Sequence, residues 1–223
     1  MNDKKAIIIF TRVPVAGYTK TRLMPFLSGD ECERLHTAFI KDIAKICSTV
    51  NAEPIVCYKT EKNAKIDIKT LIKSKYYFLQ EGESLGDKMR NAFEKVFSLG
   101  YEKIVLIGTD IPQITENIIN NSFEKLENND IVINPTVDGG YYLVGMRRFI
   151  PWIFEVEHYG ISTVFEETVT KIREKNISIC IGEKCMDIDT KEDFLKLHEE
   201  IKFIQDEKIK YTHQIVSEIM KDK

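Results

Sequence analysis

Short β-branched apolar runs recur along this chain, each followed by a segment of helical length, and that alternation restricts the fold more than any other feature. The runs fall at 5–11, 54–59, 76–79, 103–107, 130–134, 140–146 and 176–181. The first holds Ala6, Ile7, Ile8, Ile9 and Phe10 without a polar break, as a strand buried on both faces requires. Between the runs lie amphipathic stretches with helix-start chemistry. Ser28 and Glu31 form a capping-box pair ahead of Leu35, Ala38, Phe39, Ile43, Ile46 and Cys47 at helical spacing. Further helices are predicted over 85–97 and 115–127. Thr163 with Glu166, and Thr190 with Asp193, are expected to be capping boxes for two more. Strands separated by helices imply right-handed crossovers and an α/β fold with a largely parallel sheet covered on both faces.

No Pro/Gly-rich linker, repeat or low-complexity stretch divides the 223 residues, so 1–223 reads as one domain. Residues 199–223 are polar but keep Ile201, Ile204, Ile209, Ile215, Val216, Ile219 and Met220. They read as an amphipathic helical tail packed on the domain, with a homodimer contact as its alternative use. A net charge of −3 argues against general nucleic-acid binding, so any cationic site must be local. The five cysteines have no metal-ligand spacing and read as reduced thiols. The opening apolar run is too short for a signal sequence, and none reaches membrane-span length; a cytoplasmic protein is expected.

The chemistry gathers where strands end, which is where open α/β sheets bind ligands. The first strand empties into a loop carrying Pro14, Gly17, Arg12, Lys20 and Arg22. Backbone N–H groups and cations in such a loop suit a polyphosphate; a basic surface loop is the plain alternative. Asp110 follows the strand at 103–107 and precedes Pro112, either capping the next turn or ligating Mg²⁺. Asp187 and Asp189 follow the last strand, and with Thr190 and Asp193 used in a cap, Asp189 is left to face a cleft. A hard cation between Asp110 and Asp189, opposite the basic loop, suits a nucleoside di- or triphosphate. Asp138, Gly139 and Gly140 form either a hairpin turn or a backbone approach to substrate, with Asp138 on substrate hydroxyls or acting as a base. Gly82 and Gly86, beside Leu85 at a helix start, admit a nucleobase or simply shape a capped loop at Ser84. His36 and His198 fall inside helices, and no nucleophilic triad is readable. Trp152, His158 and Tyr159 lie in the region expected to meet an acceptor.

The run Pro14-Val15-Ala16-Gly17-Tyr18-Thr19-Lys20-Thr21-Arg22-Leu23, then Leu85-Gly86, Gly108-Thr109-Asp110-Ile111-Pro112, Asp138-Gly139-Gly140-Tyr141-Tyr142 and Asp187-Ile188-Asp189-Thr190 come in a telling order. Over residues 7–197 the chain resembles the DUF2064 family of GT-A-like transferases, in the nucleotide-diphospho-sugar transferase superfamily. The loop also resembles that of sugar-nucleotide pyrophosphorylases and of the 2-phospholactate guanylyltransferase group. The resemblance implies a three-layer α/β/α fold with a mostly parallel, mixed sheet. It implies phosphate contacts from Lys20 and Arg22, with Arg12, Gly17, Leu85 and Gly86 also on the nucleotide. It also implies Mg²⁺ or Mn²⁺ on Asp110 and Asp189. Two departures stand out: a single carboxylate at Gly108–Pro112 where many glycosyltransferases have Asp-x-Asp, and Lys191 where relatives commonly carry Pro. The whole-chain resemblance places a glycosyltransferase using a nucleotide sugar first. The loop chemistry favours the alternative, a nucleotidyltransferase joining an NTP to a phosphorylated small-molecule acceptor with release of pyrophosphate.

Overall fold

The computed structural model describes residues 4–156, 159–204, 208–221 and 223. Its strands are β1 (Lys5–Arg12), β2 (Glu53–Lys59), β3 (Tyr76–Leu79), β4 (Lys103–Gly108), β5 (Ile131–Pro135), β6 (Tyr141–Met146) and β7 (Ile179–Ile181). The helices are α1 (Gly29–Cys47), the single-turn α2 (Ile68–Leu71), α3 (Leu85–Ser98), α4 (Glu116–Lys125), α5 (Val164–Glu174), α6 (Lys191–Ile201) and α7 (Lys210–Lys221). The strands form one mixed sheet in the order β3-β2-β1-β4-β6-β5-β7. β1 lies parallel to β2 on one side and to β4 on the other. β6 runs antiparallel between β4 and β5, because the short turn at residues 136–140 folds it straight back along β5. The expected mostly parallel, mixed α/β sheet is what forms.

Alternation along β1 explains its unbroken apolar sequence. Ile7 and Ile9 pack on one face beneath Ile40 and Ile43 of α1 and Ile119 and Phe123 of α4. Ala6 and Ile8 pack on the other beneath Met89 and Phe93 of α3 and Ile172 of α5. All four β1 side chains are fully buried, each apolar group removed from water contributing about 25 cal/mol per Å². The chain leaves β1 toward β2 and β3 on one side and reaches β4 on the other. The carboxyl ends of β1 and β4 therefore flank a topological switch point.

Local start signals mostly hold. Capping boxes form at Ser28/Glu31, Ser84/Asp87 and Thr190/Asp193. The one expected at Thr163 does not: its hydroxyl donates to Glu167 Oε1, one residue beyond the box partner Glu166, and its backbone is already in the helical region. The tail packs on the sheet assembly rather than standing apart, and the helix capped at Thr190 runs on into it. Ile209, Ile215, Val216 and Ile219 join Leu35 and Phe39 of α1 and Phe194 and Leu197 of α6 in a third apolar cluster. Asp42, fully buried on α1, fastens the start of α7: its carboxylate accepts the backbone N–H groups of Tyr211 (3.1 Å) and Thr212 (2.7 Å). Among the described residues no helix is long and apolar enough to cross a membrane.

Asp42→Ala leaves those two N–H groups unpaired inside the fold. It should cost about 1–3 kcal/mol in urea unfolding, with amide exchange of α7 rising before that of β1; equal protection of α7 in both proteins would contradict this account of the tail.

Candidate functional site

At the switch point the hydroxyls of Thr11 and Thr109, ending β1 and following β4, meet at 2.8 Å and hold the two strand ends together. Over them opens a cleft of about 510 Å³. Arg12, Lys59 and Lys88 bring positive charge to its lining, and Asp110, Asp138 and Asp187 bring negative charge. The apolar and aromatic part comes from Leu85, Met89, Tyr141, Tyr159 and Ile161.

The basic loop is more tightly committed to protein than its sequence implies. Gly17 has φ +84°, open space where a side chain would stand, and no place in the cleft lining. Thr19 Oγ1 accepts Val15 N–H (2.9 Å) and Glu33 Oε2 accepts Ala16 N–H (2.7 Å), so the loop is laced to itself and to α1. Lys20 adopts φ +52°, rare for a side-chain-bearing residue, and its side chain is only 3% exposed. Its ammonium donates to Ile188 O at 2.7 Å and Asp189 Oδ1 at 3.0 Å, and pairs with Asp110 Oδ1. Three donors meet three acceptors. Burial works to lower the Lys20 pKa, but the Asp110 and Asp189 charges reverse this and hold it above the usual lysine value. Desolvation works to raise the Asp110 pKa, and the charge of Lys20 overrides it, holding the carboxyl down to about 2. Arg22 donates to Asp189 Oδ2 at 3.2 Å with its own side chain largely in solvent. The position expected for a metal, between Asp110 and Asp189, is thus filled by the Lys20 ammonium. Of the loop's three cations, Arg12 lines the cleft.

Across the cleft, Asp138 Oδ1 accepts the Thr136 hydroxyl and the Gly140 N–H (3.1 Å), so Asp138 both caps the β5–β6 turn and faces the cleft. Gly140 lines the cleft beside it. Gly139, at φ +93°, does not: a side chain there would run into Ser162, and its carbonyl accepts Phe165 N–H (2.9 Å). The glycines beside α3 are likewise used internally. A Cβ on Gly86 would meet the Phe154 carbonyl at 2.3 Å, and one on Gly82 would meet Asp87. Leu85 lines the cleft and Gly86 does not. Asp187, passed over in the sequence in favour of Asp189, is the strand-end carboxylate that shares the cleft with Asp110. Partial burial, then the charges of Asp138 and Asp189, push its pKa up to about 6. Among the described residues no three His, Cys, Asp or Glu side chains converge into a ready-made metal cage. His158 lies outside the described residues; Tyr159 lines the cleft, and its hydroxyl lies 3.4 Å from that of Tyr141.

Sequence reading missed Lys59, Lys88, Gln80 and His36. Lys59 closes β2 and Gln80 follows β3, so both obey the strand-end rule that singled out Asp110. Gln80 Nε2 donates to the carbonyls of Thr11 (2.8 Å) and Cys57 (3.3 Å), joining the ends of β1 and β2. Lys88, inside α3, carries no local signal.

Comparison with known proteins fits this geometry. Residues 42–160 match the family described as "Uncharacterized protein conserved in bacteria (DUF2064)". The 2-phospho-L-lactate guanylyltransferase of Methanocaldococcus jannaschii is 28% identical over 181 residues, which span 78% of this chain and 74% of that one. A structure from Desulfovibrio desulfuricans G20, described as a nucleotide-diphospho-sugar transferase, superposes with a TM-score of 0.86 at 26% identity, covering 97% of this chain and 98% of the other. A cytidylyltransferase from Leptospira borgpetersenii shares the fold at a TM-score of 0.60 and 16% identity, over 99% and 95% of the two chains.

The acidic side of the cleft makes a prediction about pH. Asp187 ionises near pH 6 in the fold and near 3.9 when unfolded. Between those values the folded state holds the extra proton, so this residue's contribution to stability falls as pH rises from about 4 to 6. Asp187→Asn should therefore raise Tm at pH 7.5, with the gain over wild type shrinking as pH drops toward 4. A gain independent of pH would remove the charge explanation.

Proposed function

The chain belongs to the DUF2064 family, and on that premise we propose that it is a nucleotidyltransferase. It would join a nucleoside triphosphate to a phosphorylated small-molecule acceptor and release pyrophosphate. The observation that carries the reading is a match to guanylyltransferases over about three-quarters of each chain, combined with a cleft lined by both cations and carboxylates. This reverses the order reached from sequence, where glycosyl transfer stood first.

Each side of the cleft has a part in the reaction. Arg12 and Lys59, at the ends of neighbouring strands, and Lys88 from α3 would hold the triphosphate and offset charge building on the departing pyrophosphate. The acceptor phosphate is already ionised, so attack on the α-phosphorus asks for alignment rather than for a protein base. Lys20, paired with Asp110 and Asp189, and Arg22, paired with Asp189, would keep these carboxylates in place without lining the cleft themselves. The donor set suits a hard divalent ion: Asp110 and Asp187 offer carboxylate oxygens to the cleft, and Mg²⁺ on phosphates needs only one or two. Partial burial, and after it the charges of Asp138 and Asp189, disfavour the ionised Asp187, and a cation beside it would offset both. Bound on Asp110 and Asp187, with Asp189 behind them, Mg²⁺ or Mn²⁺ would supply positive charge to the phosphates. Tyr141, Tyr159, Leu85 and Ile161 would border the acceptor, with Asp138 and Gly140 at its polar edge.

Glycosyl transfer is the second reading, favoured by the close superposition on the Desulfovibrio protein. Product chemistry separates the two. With Mg²⁺, GTP as the first of four nucleotides and a panel of phosphorylated acceptors, pyrophosphate should appear in step with acceptor consumption. Transfer from a nucleotide sugar with no pyrophosphate from any NTP would establish the second reading instead. Asp110→Asn should reduce the Mg²⁺-dependent rate at least ~10²-fold, the scale of losing one preorganised electrostatic contact; a near-normal rate would remove Asp110 from the site.

A further inference from the structure

Among the described residues, His36 is the buried side chain lining the cleft whose polar atoms make no hydrogen bond. It projects from α1 among Cys32, Leu35, Phe39 and Ile40, a face that is otherwise apolar, and it is 2% exposed. Neither ring nitrogen makes a hydrogen bond of ordinary geometry, and the one backbone group that acts on the ring, from Arg12, does so as the weakest of the influences on it. Asp42, as deeply buried on the same helix, has its carboxylate bonded to two N–H groups, so α1 does satisfy polar groups elsewhere. An unpaired buried polar group is destabilising, a cost that an apolar side chain of similar shape avoids. His36 nevertheless lines the cleft, with Nδ1 3.8 Å from Asp110 Oδ1, just beyond hydrogen-bond range. That oxygen is the one paired with Lys20. Lys20 and His36 each bring a basic side-chain nitrogen within 4 Å of the Asp110 carboxylate.

We infer that His36 is a positioning residue for Asp110, donating Nδ1–H to its carboxylate when a nucleotide and a divalent ion enter the cleft. The inference rests on the nucleotidyltransferase reading given above. A divalent ion on Asp110 would compete with the Lys20 ammonium for that carboxylate, which then needs another donor to keep its orientation. Neutral imidazole suits that role, because it has one N–H to give and no charge to repel an incoming cation. The unpaired ring is then the resting form of a contact completed on binding. Groups behind a metal-bound side chain commonly contribute 10–100-fold to affinity without touching the ion.

The test measures Mn²⁺ affinity by EPR titration in the presence of GTP, with Tm for every protein. His36→Leu should bind Mn²⁺ at least ~10-fold more weakly while its Tm stays the same or rises. His36→Asn, which places an amide nitrogen near the Nδ1 position, should recover most of the lost affinity. Wild-type affinity in His36→Leu would overturn the inference and leave the nucleotidyltransferase reading standing. So would an Asn variant that folds as wild type yet binds as poorly as Leu. If wild type fails to bind Mn²⁺, or Asp110→Asn binds it normally, the ion assignment falls and the role of His36 falls with it.

Discussion

One buried ammonium ties the site together. Lys20 reaches from the loop after β1 to Asp110 beyond β4, and to Ile188 and Asp189 between β7 and α6. Ile188 N–H also donates to the Asp110 carbonyl at 3.0 Å, so the two acidic segments are joined through backbone as well as charge. Taking an ammonium out of water is costly, and here two carboxylates and a carbonyl offset it. Such a pair contributes little net stability, yet losing one partner strands the others. Its value is positional: segments far apart in sequence reach one geometry before any ligand arrives.

That arrangement explains why the sequence was a good guide to the fold and a partial guide to the site. Capping at Ser28, Ser84 and Thr190 is local chemistry, readable from residues three apart. The unbroken apolar run of β1 announces burial on both faces by itself. The placement of β6 between β4 and β5 depends on long-range pairing that no single segment encodes. Thr163 shows the limit of even local rules, since its hydroxyl had a competing partner one residue further along.

For the site, the strand-end rule located Arg12, Asp110 and the 187–189 segment. It did not say which way each side chain points. Lys20 and Asp189 pair with one another and are not among the residues that line the cleft, while Asp187 is. At glycines 82, 86 and 139 the space a side chain would need is taken by protein atoms. His36 had a signal that was passed over: a histidine on the buried face of an amphipathic helix needs a partner, and here none is in place.

The cleft reconciles an overall acidic chain with the anionic ligand proposed for it. A net charge of −3 coexists with Arg12, Lys59 and Lys88 facing one space. Focused charge of this kind attracts a polyphosphate without making the whole surface sticky to nucleic acid. The most direct measurement of the central claim is a crystal structure of the protein with GTP and Mn²⁺, with the ion located by its anomalous scattering. The account predicts an anomalous peak against the carboxylates of Asp110 and Asp187, with triphosphate density reaching Arg12 and Lys59. Nucleotide density away from the ends of β1 and β4, or an ion bound without either carboxylate, would contradict it.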